Sequence, residues 1–429
     1  MPAAFPNAPA VPSGAAAADL AWQDYFADPA LRGLIELALK NNRDLRIAAL
    51  NIDSVRAQYE LRRADRLPTL NAGLAASRQP GSGGAMTGAY SAGLSVAAYE
   101  LDLFGRVRSL TDSTAAQWLA TEEARKAVQI SLVASVANQY LALAADDELL
   151  DLTRRTLDTR EQSLKLTQLR FDNGATSELD VRQAQTLIEA ARVTLAQQRR
   201  QRELDRNALA LLLGQALPEG PAGPGRLDAI VLADVPAGVP SDALLRRPDV
   251  AQAEQQLVAA NANIGAARAA FWPRITLTAS AGTASSQLSE LFKDGAWSFA
   301  AQLLQPIFDA GRNRANLAVA QVQRDIAVAQ YERAIQAAFR DVADALAGRA
   351  TLDEQLRAAQ AQAQAERLRY GLSELRFRNG VSSSLELLDA QRSLFTAQQA
   401  VVLTRLARLQ NQVAVYRALG GGFVRPTVG

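Results

Sequence analysis

The sequence predicts a mainly α-helical chain with two β-hairpins, built twice over from one half-molecule, whose strands can close only when several chains combine. Three observations lead there. LRFDNGATSELD at residues 169–180 returns as LRFRNGVSSSLE at 375–386, 206 positions later. Each copy follows a long helix-like run and precedes another, so each Asn-Gly marks the tip of a helical hairpin. Each half also switches once from helical to alternating patterning.

The elements follow in order. A short amphipathic helix starts after Asp28-Pro29, a good cap and first-turn pair. Residues 41–66 are helical in pattern, full of Ala, Leu, Arg and Gln. At Pro68 the period becomes two, with Leu70, Ala72, Leu74 and Ala76 alternating with Asn71, Gly73 and Ala75. After the loop QPGSGGAMTG a second alternating run carries Tyr90, Ala92, Leu94, Val96 and Ala98, which completes a hairpin. From Arg106 to Asn173 there is no Gly or Pro, and Val136, Leu143, Leu150, Leu157, Leu164 and Phe171 fall seven apart, a coiled-coil spacing. A helix of that length measures about 100 Å. Its return partner, 178–213, is about half as long, and residues 41–66 can supply the rest by stacking end to end on it.

Residues 215–248 hold Pro218, Pro221, Pro224, Pro236, Pro240 and Pro248 and form a connector. The second half repeats the order: a helix at 249–271, then Ile275, Leu277 and Ala279, a polar loop, and Trp297, Phe299, Ala301 and Leu303. Its long helix spans 312–378 and its return helix 384–419, and Gly348 and Gly371 weaken the long helix locally. Asp44 meets Asp249, Ala64 meets Ala269, Pro68 meets Pro273, and Gly105-Arg106-Val107-Arg108 meets Gly311-Arg312-Asn313-Arg314. A match of about 174 residues is a duplicated half-molecule, not a solenoid. The chain thus divides into an N-terminal segment and short helix (1–40), a first repeat (41–214, hairpin 68–100, tip 170–176) and the connector (215–248). A second repeat (249–420, hairpin 273–306, tip 376–382) and a tail (421–429) follow.

Composition narrows the chemistry. There are 46 Lys+Arg against 44 Asp+Glu, with no block of like charge, so nothing argues for a nucleic-acid footprint. The chain has no Cys and no His, which removes thiol nucleophiles, Cys/His metal sites and imidazole acid–base catalysis. Without a P-loop or G-x-S-x-G either, no enzyme, cofactor or metal is expected. No window of 18 consecutive apolar residues occurs. MPAAFPNAPAVPSGAAAADL lacks the basic and Leu-rich regions of a signal peptide.

Four strands cannot close a barrel. Their apolar faces, with Tyr90, Tyr99, Phe271, Trp272 and Trp297 near the strand ends, suit an outer-membrane barrel, and three chains would give twelve strands. A soluble hairpin packed on helices fits the alternation equally well.

AYELDLFGRVRS, LRFDNGATSELDVRQAQ, RRPDVAQAE, ANIGAARAAFWPRITLTASAG and LLDAQRSLFTAQQ resemble the TolC/OprM family of outer-membrane channel proteins, most closely its OprM-type efflux branch. The similarity runs from about Asp24 to Gly422. It implies a homotrimer in the outer membrane of a Gram-negative bacterium: a twelve-stranded β-barrel in outer-membrane lipid, continued through the periplasm by a twelve-helix α-barrel with a mixed equatorial belt. It further implies the exit duct of a tripartite multidrug pump, docked through a periplasmic adaptor (membrane fusion) protein to an inner-membrane transporter of the proton-driven resistance-nodulation-division type. Substrate selection then sits in the transporter. A duct for type I protein secretion, or a periplasmic coiled-coil scaffold, are the alternatives. Many members of the branch carry an N-terminal lipid-modified cysteine, and Pro2 onward resembles the part just after that anchor, so lipidation of the natural protein is expected.

The resemblance also assigns residues. Leu385, Asp389 and Arg392 lie at i, i+4 and i+7, on one helix face. By spacing alone they are a solvated face with an ordinary Asp–Arg pair; the resemblance makes them the periplasmic gate, an apolar ring above an acidic one with Arg392 bridging between chains. Asp180 aligns with an acidic gate position of the TolC branch, but Ser382 stands where that branch's clasp has Arg, so it is the weaker candidate. Arg170, Phe171, Asn173, Gly174 and Ala175, with Arg376, Phe377, Asn379, Gly380 and Val381, form paired tips that the resemblance assigns to adaptor contact. Turn chemistry explains the Asn-Gly but not the repeated Arg-Phe. Gly105 and Gly311, each opening a Gly-Arg-x-Arg run, are read structurally: glycine for the bend, Arg for the first helical turn.

Overall fold

A computed structural model of the chain describes residues 20–80, 86–218, 226–233 and 241–422. The segment before residue 20, the middle of the 79–88 loop, much of the connector and the last seven residues lie outside the described part. The elements are α1 (Trp22–Tyr25), α2 (Pro29–Asn41), α3 (Arg43–Ala64), β1 (Leu70–Pro80), β2 (Met86–Leu101), α4 (Arg106–Asp172) and α5 (Glu178–Leu213). They continue with α6 (Pro248–Ala269), β3 (Arg274–Ser285), β4 (Gly295–Leu304), α7 (Arg312–Arg378) and α8 (Ser384–Ala418). Both long helices are unbroken over 67 residues.

Residues 41–66, read as one helix, begin instead with a break. Asn42 accepts from Leu45 N at 2.9 Å and so caps α3, while its amide donates to Leu212 O at the end of α5. Arg247 takes the same place in the second half, donating to Ala418 O at 2.8 Å and pairing with Asp249. Gly348 also has another role than weakening its helix. An added Cβ would run into the side chain of Asn411, whose amide donates to Ala345 O at 3.1 Å. The glycine lets α8 approach closely, and α7 does not break there. Gly371 meets nothing.

Two compact units form, each drawing on both repeats: Met1–Ala48 with Arg125–Val250 and Ile335–Gly429, and Ala49–Ala124 with Ala251–Ala334. The second unit holds one antiparallel sheet in the order β1-β2-β3-β4. Directly paired residues share a face. One face therefore carries the rows Leu70–Val96–Ala279–Phe299 and Ala72–Leu94–Ala281–Trp297. The other carries Asn71–Ser95–Ser280–Ser298 and Gly73–Gly93–Gly282–Ala296. One side is apolar and aromatic, the other is Ser, Asn and Gly. Among the described residues β1 and β4 end the sheet with unpaired edges, which a soluble protein would have to cover.

Where strand becomes helix, Gly105 (φ +75°) and Gly311 (φ +85°) make the bends as expected. Asp102 then accepts from Val107 N and Arg108 N, and Asp309 from Gly311 N and Asn313 N, so an aspartate caps each long helix. Arg106 forks onto Glu100 at 2.8 and 2.7 Å, and Arg274 joins at 2.6 Å. Glu100 at the end of β2 thus fixes the first turn of α4 and the first residue of β3.

In the first unit, Asp28 caps α2 as predicted, accepting from Ala30 N at 2.8 Å, and its other oxygen accepts from the buried Tyr140 hydroxyl at 2.6 Å. Tyr25 stacks on Tyr416 with centroids 3.9 Å apart, over a core that includes Leu31, Ile35, Val136, Leu141, Leu209 and Val413. The heptad positions of α4 are buried at Val136, Leu143 and Leu150, half-buried at Leu157 and Leu164, and exposed at Phe171. Over half of an 18-residue stretch of α4 that is apolar enough to cross a membrane is buried inside the chain, as in a core helix.

One buried acid stands out. Asp146 is buried on α4 with Oδ2 unpartnered when ionised. Asp205 beside it is held by Gln139 and Gln201, and the nearby Arg202 is taken by Asp147. Burial first, then the hydrogen bond with Asp205 and the charges of Asp205 and Asp147, push Asp146 up to about 7. The folded value exceeds the unfolded one, so its stabilising protonated form is complete below the ordinary carboxylate range and lost as pH rises through about 7. The thermal unfolding midpoint should therefore fall between those limits, and Asp146→Asn should flatten that dependence. An unchanged profile in the variant would refute the assignment.

Candidate functional site

Both tips are built alike. Gly174 N donates to Phe171 O at 2.9 Å and Ala175 N to Arg170 O at 2.8 Å, with Gly174 at φ +68°. Gly380 N donates to Phe377 O at 3.1 Å and Val381 N to Arg376 O at 2.9 Å, with Gly380 at φ +72°. This is a Schellman cap at each helix end. The Asn173 and Asn379 amides add a bond to Leu169 O and Leu375 O at 2.6 and 2.8 Å. Nothing lies near a Cβ at either glycine, so the left-handed φ alone selects it.

The tips leave Asn173, Gly174, Ala175, Asn379, Gly380 and Val381 exposed, together with Phe171 and Arg376. Phe377 is the exception. It is buried, with the Arg170 guanidinium 4.2 Å from its ring centroid and Arg170 Nη2 donating to its carbonyl at 3.2 Å. Phe377 and Arg170 therefore join the two hairpins of one chain.

Asp180 sits in the same seam. It closes a capping box with Ser177 at the start of α5 and accepts from Thr176 Oγ1 at 2.7 Å and from Ser384 Oγ of α8. The hydrogen bond from Ser384, then those from Thr176 and Ser177, hold its carboxyl far below the usual range. The structure gives Asp180 a fixed, fully bonded place that accounts for an acid there.

On α8, Leu385, Asp389 and Arg392 share a face as the spacing requires. Leu385 is 61% exposed. Arg392 pairs with Asp389 at 2.5 Å, within the chain. Arg369 of α7 also reaches Asp389, at 3.4 Å, and holds Glu366 at 2.8 Å. Sequence reasoning missed Arg369, since only the antiparallel register of α7 and α8 brings it there. Among the described residues no cluster of acids suits a metal.

The profile of the family described as "Outer membrane efflux protein" matches residues 34–215 and 239–421. The "Toluene efflux pump outer membrane protein TtgC" of Pseudomonas putida is 50% identical over 422 residues, 96% of this chain and 87% of that one. "Outer membrane protein OprJ" of Pseudomonas aeruginosa is 45% identical, over 96% of this chain and 88% of that one. The open state of the Neisseria gonorrhoeae MtrE outer membrane channel superposes with a TM-score of 0.90 at 42% identity, covering 98% of this chain and 96% of that one. The fold is accordingly that of the trimeric outer-membrane channels, mainly α with four strands per chain, and its place is the outer membrane. The chain belongs to the outer membrane efflux protein family and is the outer-membrane exit duct of an efflux pump.

Proposed function

We propose that three copies of this chain form a passive duct that carries small apolar toxic molecules, of the solvent and antibiotic kind, out of a tripartite pump. The sheet supports this reading most: one face is apolar and aromatic and the other is Ser, Asn and Gly. That is a wall with lipid on one side and water on the other. The unpaired edges of β1 and β4 are where the next chain adds its strands, since in lipid every backbone group needs a partner. A periplasmic adaptor docks at the exposed tip residues around Asn173-Gly174 and Asn379-Gly380 and links the duct to a proton-driven inner-membrane transporter. Leu385, Asp389 and Arg392 form the periplasmic gate, with Asp180 securing the hairpins beside it. Relatives named for toluene and antibiotic efflux support the substrate class.

The test is complementation. In a strain lacking its own outer-membrane duct, expression of this chain should restore tolerance to toluene and antibiotics, and Gly174→Pro with Gly380→Pro should abolish it while leaving the protein in the outer membrane. Full tolerance in the double variant would remove the tips from docking.

A further inference from the structure

The internal repeat maps contacts onto contacts. Arg202 of α5 pairs with Asp147 of α4, and 206 positions on, Arg408 of α8 pairs with Asp353 of α7. Two further contacts join the hairpins to each other. Arg405 of α8 meets Glu148 of α4 at 3.3 Å, with side chains only 16% and 18% exposed. Arg170 lies over Phe377. Applying the same offset turns the first pair into Arg199 and Glu354, and the second into Arg376 and Phe171. The residue types are kept at all four positions, yet within one chain these counterparts do not meet. Arg199 and Glu354 are exposed, with no ion pair or hydrogen bond among the described residues. Phe171 is 38% exposed where Phe377 is 5%, and among the described residues the Arg376 side chain reaches only Glu386, at 3.9 Å.

We infer that a second copy of this chain supplies the missing partners: α7 of one chain packs on α5 of the next, pairing Glu354 with Arg199 and laying Arg376 over Phe171. The seam between chains thereby repeats the seam within a chain, and it rests on the trimeric reading above. A solvated ion pair needs no conserved geometry and contributes little. An ion pair buried as deeply as Glu148 and Arg405 leaves an uncompensated charge when either partner is lost, which is reason enough for both types to be kept in both halves. The repeat ends at one contact. Ser384–Asp180 becomes Glu386 opposite Glu178, each already engaged by an arginine of its own chain. The seam between chains lacks that hydrogen bond and is the weaker of the two at the tip.

The chain has no cysteine, so pairs can be introduced without background. Glu354→Cys with Arg199→Cys, treated in outer membranes with a short bismaleimide, should convert the monomer band into covalent dimer and trimer. Glu148→Cys with Arg405→Cys should bridge within the chain and leave the monomer band. If both cysteines of the first variant label singly and the mass in detergent is that of a trimer, yet no ladder forms, the proposed seam is wrong. A monomer mass would instead sink the trimeric reading. Should the cysteine variant fail to assemble, charge reversal decides. Glu354→Arg should lower the temperature at which unheated trimer separates, and adding Arg199→Glu should restore it; no restoration overturns the pairing.

Discussion

In a planar bilayer, the channel carrying Asp389→Ala and Arg392→Ala should conduct several-fold more than the wild type, and Leu385→Ala should add to the increase. In the proposed gate three Asp389 carboxylates brought round one axis would repel, and the pairs each makes with Arg392 and Arg369 of its own chain would make the ring tolerable. Both pairs are partly exposed, so each contributes about 0.2–1 kcal/mol. A ring of three is then weak enough for the binding energy of a docked adaptor to overcome, which a gate must allow. The double substitution removes the ring's charge and bulk together. In the same proposal Leu385, exposed in the single chain, is a separate apolar constriction that would resist wetting. A discriminating control is Asp389→Ala alone, which leaves Arg392 without its acid while Arg369 keeps Glu366, and should move ion selectivity toward anions. Unchanged conductance in an intact trimer carrying all three substitutions would show that the constriction lies elsewhere.

Leu94→Arg should nearly abolish trimer in the outer membrane, and Leu277→Arg should reduce it less. Both side chains stand on the apolar face of the sheet, Leu94 paired with Ala72 and Ala281, Leu277 with Tyr99 and Ala301. Leu94 falls in the middle of β2, while Leu277 is near the start of β3. An arginine on a lipid face costs about 2–4 kcal/mol at mid-depth and about 0–1 near an interface. Three chains multiply the penalty, so depth decides the ranking. Ser95→Arg, one residue along on the opposite face, should assemble normally because it meets water. The measurement is the trimer yield after detergent extraction. Equal yields from Leu94→Arg and Ser95→Arg would reverse the assignment of the faces.

The order of elements was legible because it rests on local chemistry. A 67-residue run without Gly or Pro up to Asp172, an Asn-Gly after it with the glycine left-handed, and strict alternation from Leu70 each have one cheap backbone solution. The expected helix 178–213 was met in full, and the strands to within a few residues. The exception, the break at Asn42, arises because one side chain caps α3 and reaches across to α5. The repeat was equally legible, since it needs only identity at a fixed offset.

What the chain alone could not disclose is which side chains meet. Arg369 on Asp389, Arg106 and Arg274 on Glu100, and Ser384 on Asp180 each join residues that no periodicity relates. The pairing depends on the register of one helix against another, and a slip of one residue would turn each partner away. The same holds for exposure: Phe171 and Phe377 are spelled alike, with Arg before each, and local chemistry treats them alike. Only the packing of one hairpin on the other buries Phe377 under Arg170 and leaves Phe171 open, because a contact between two copies of a repeat uses different faces of each.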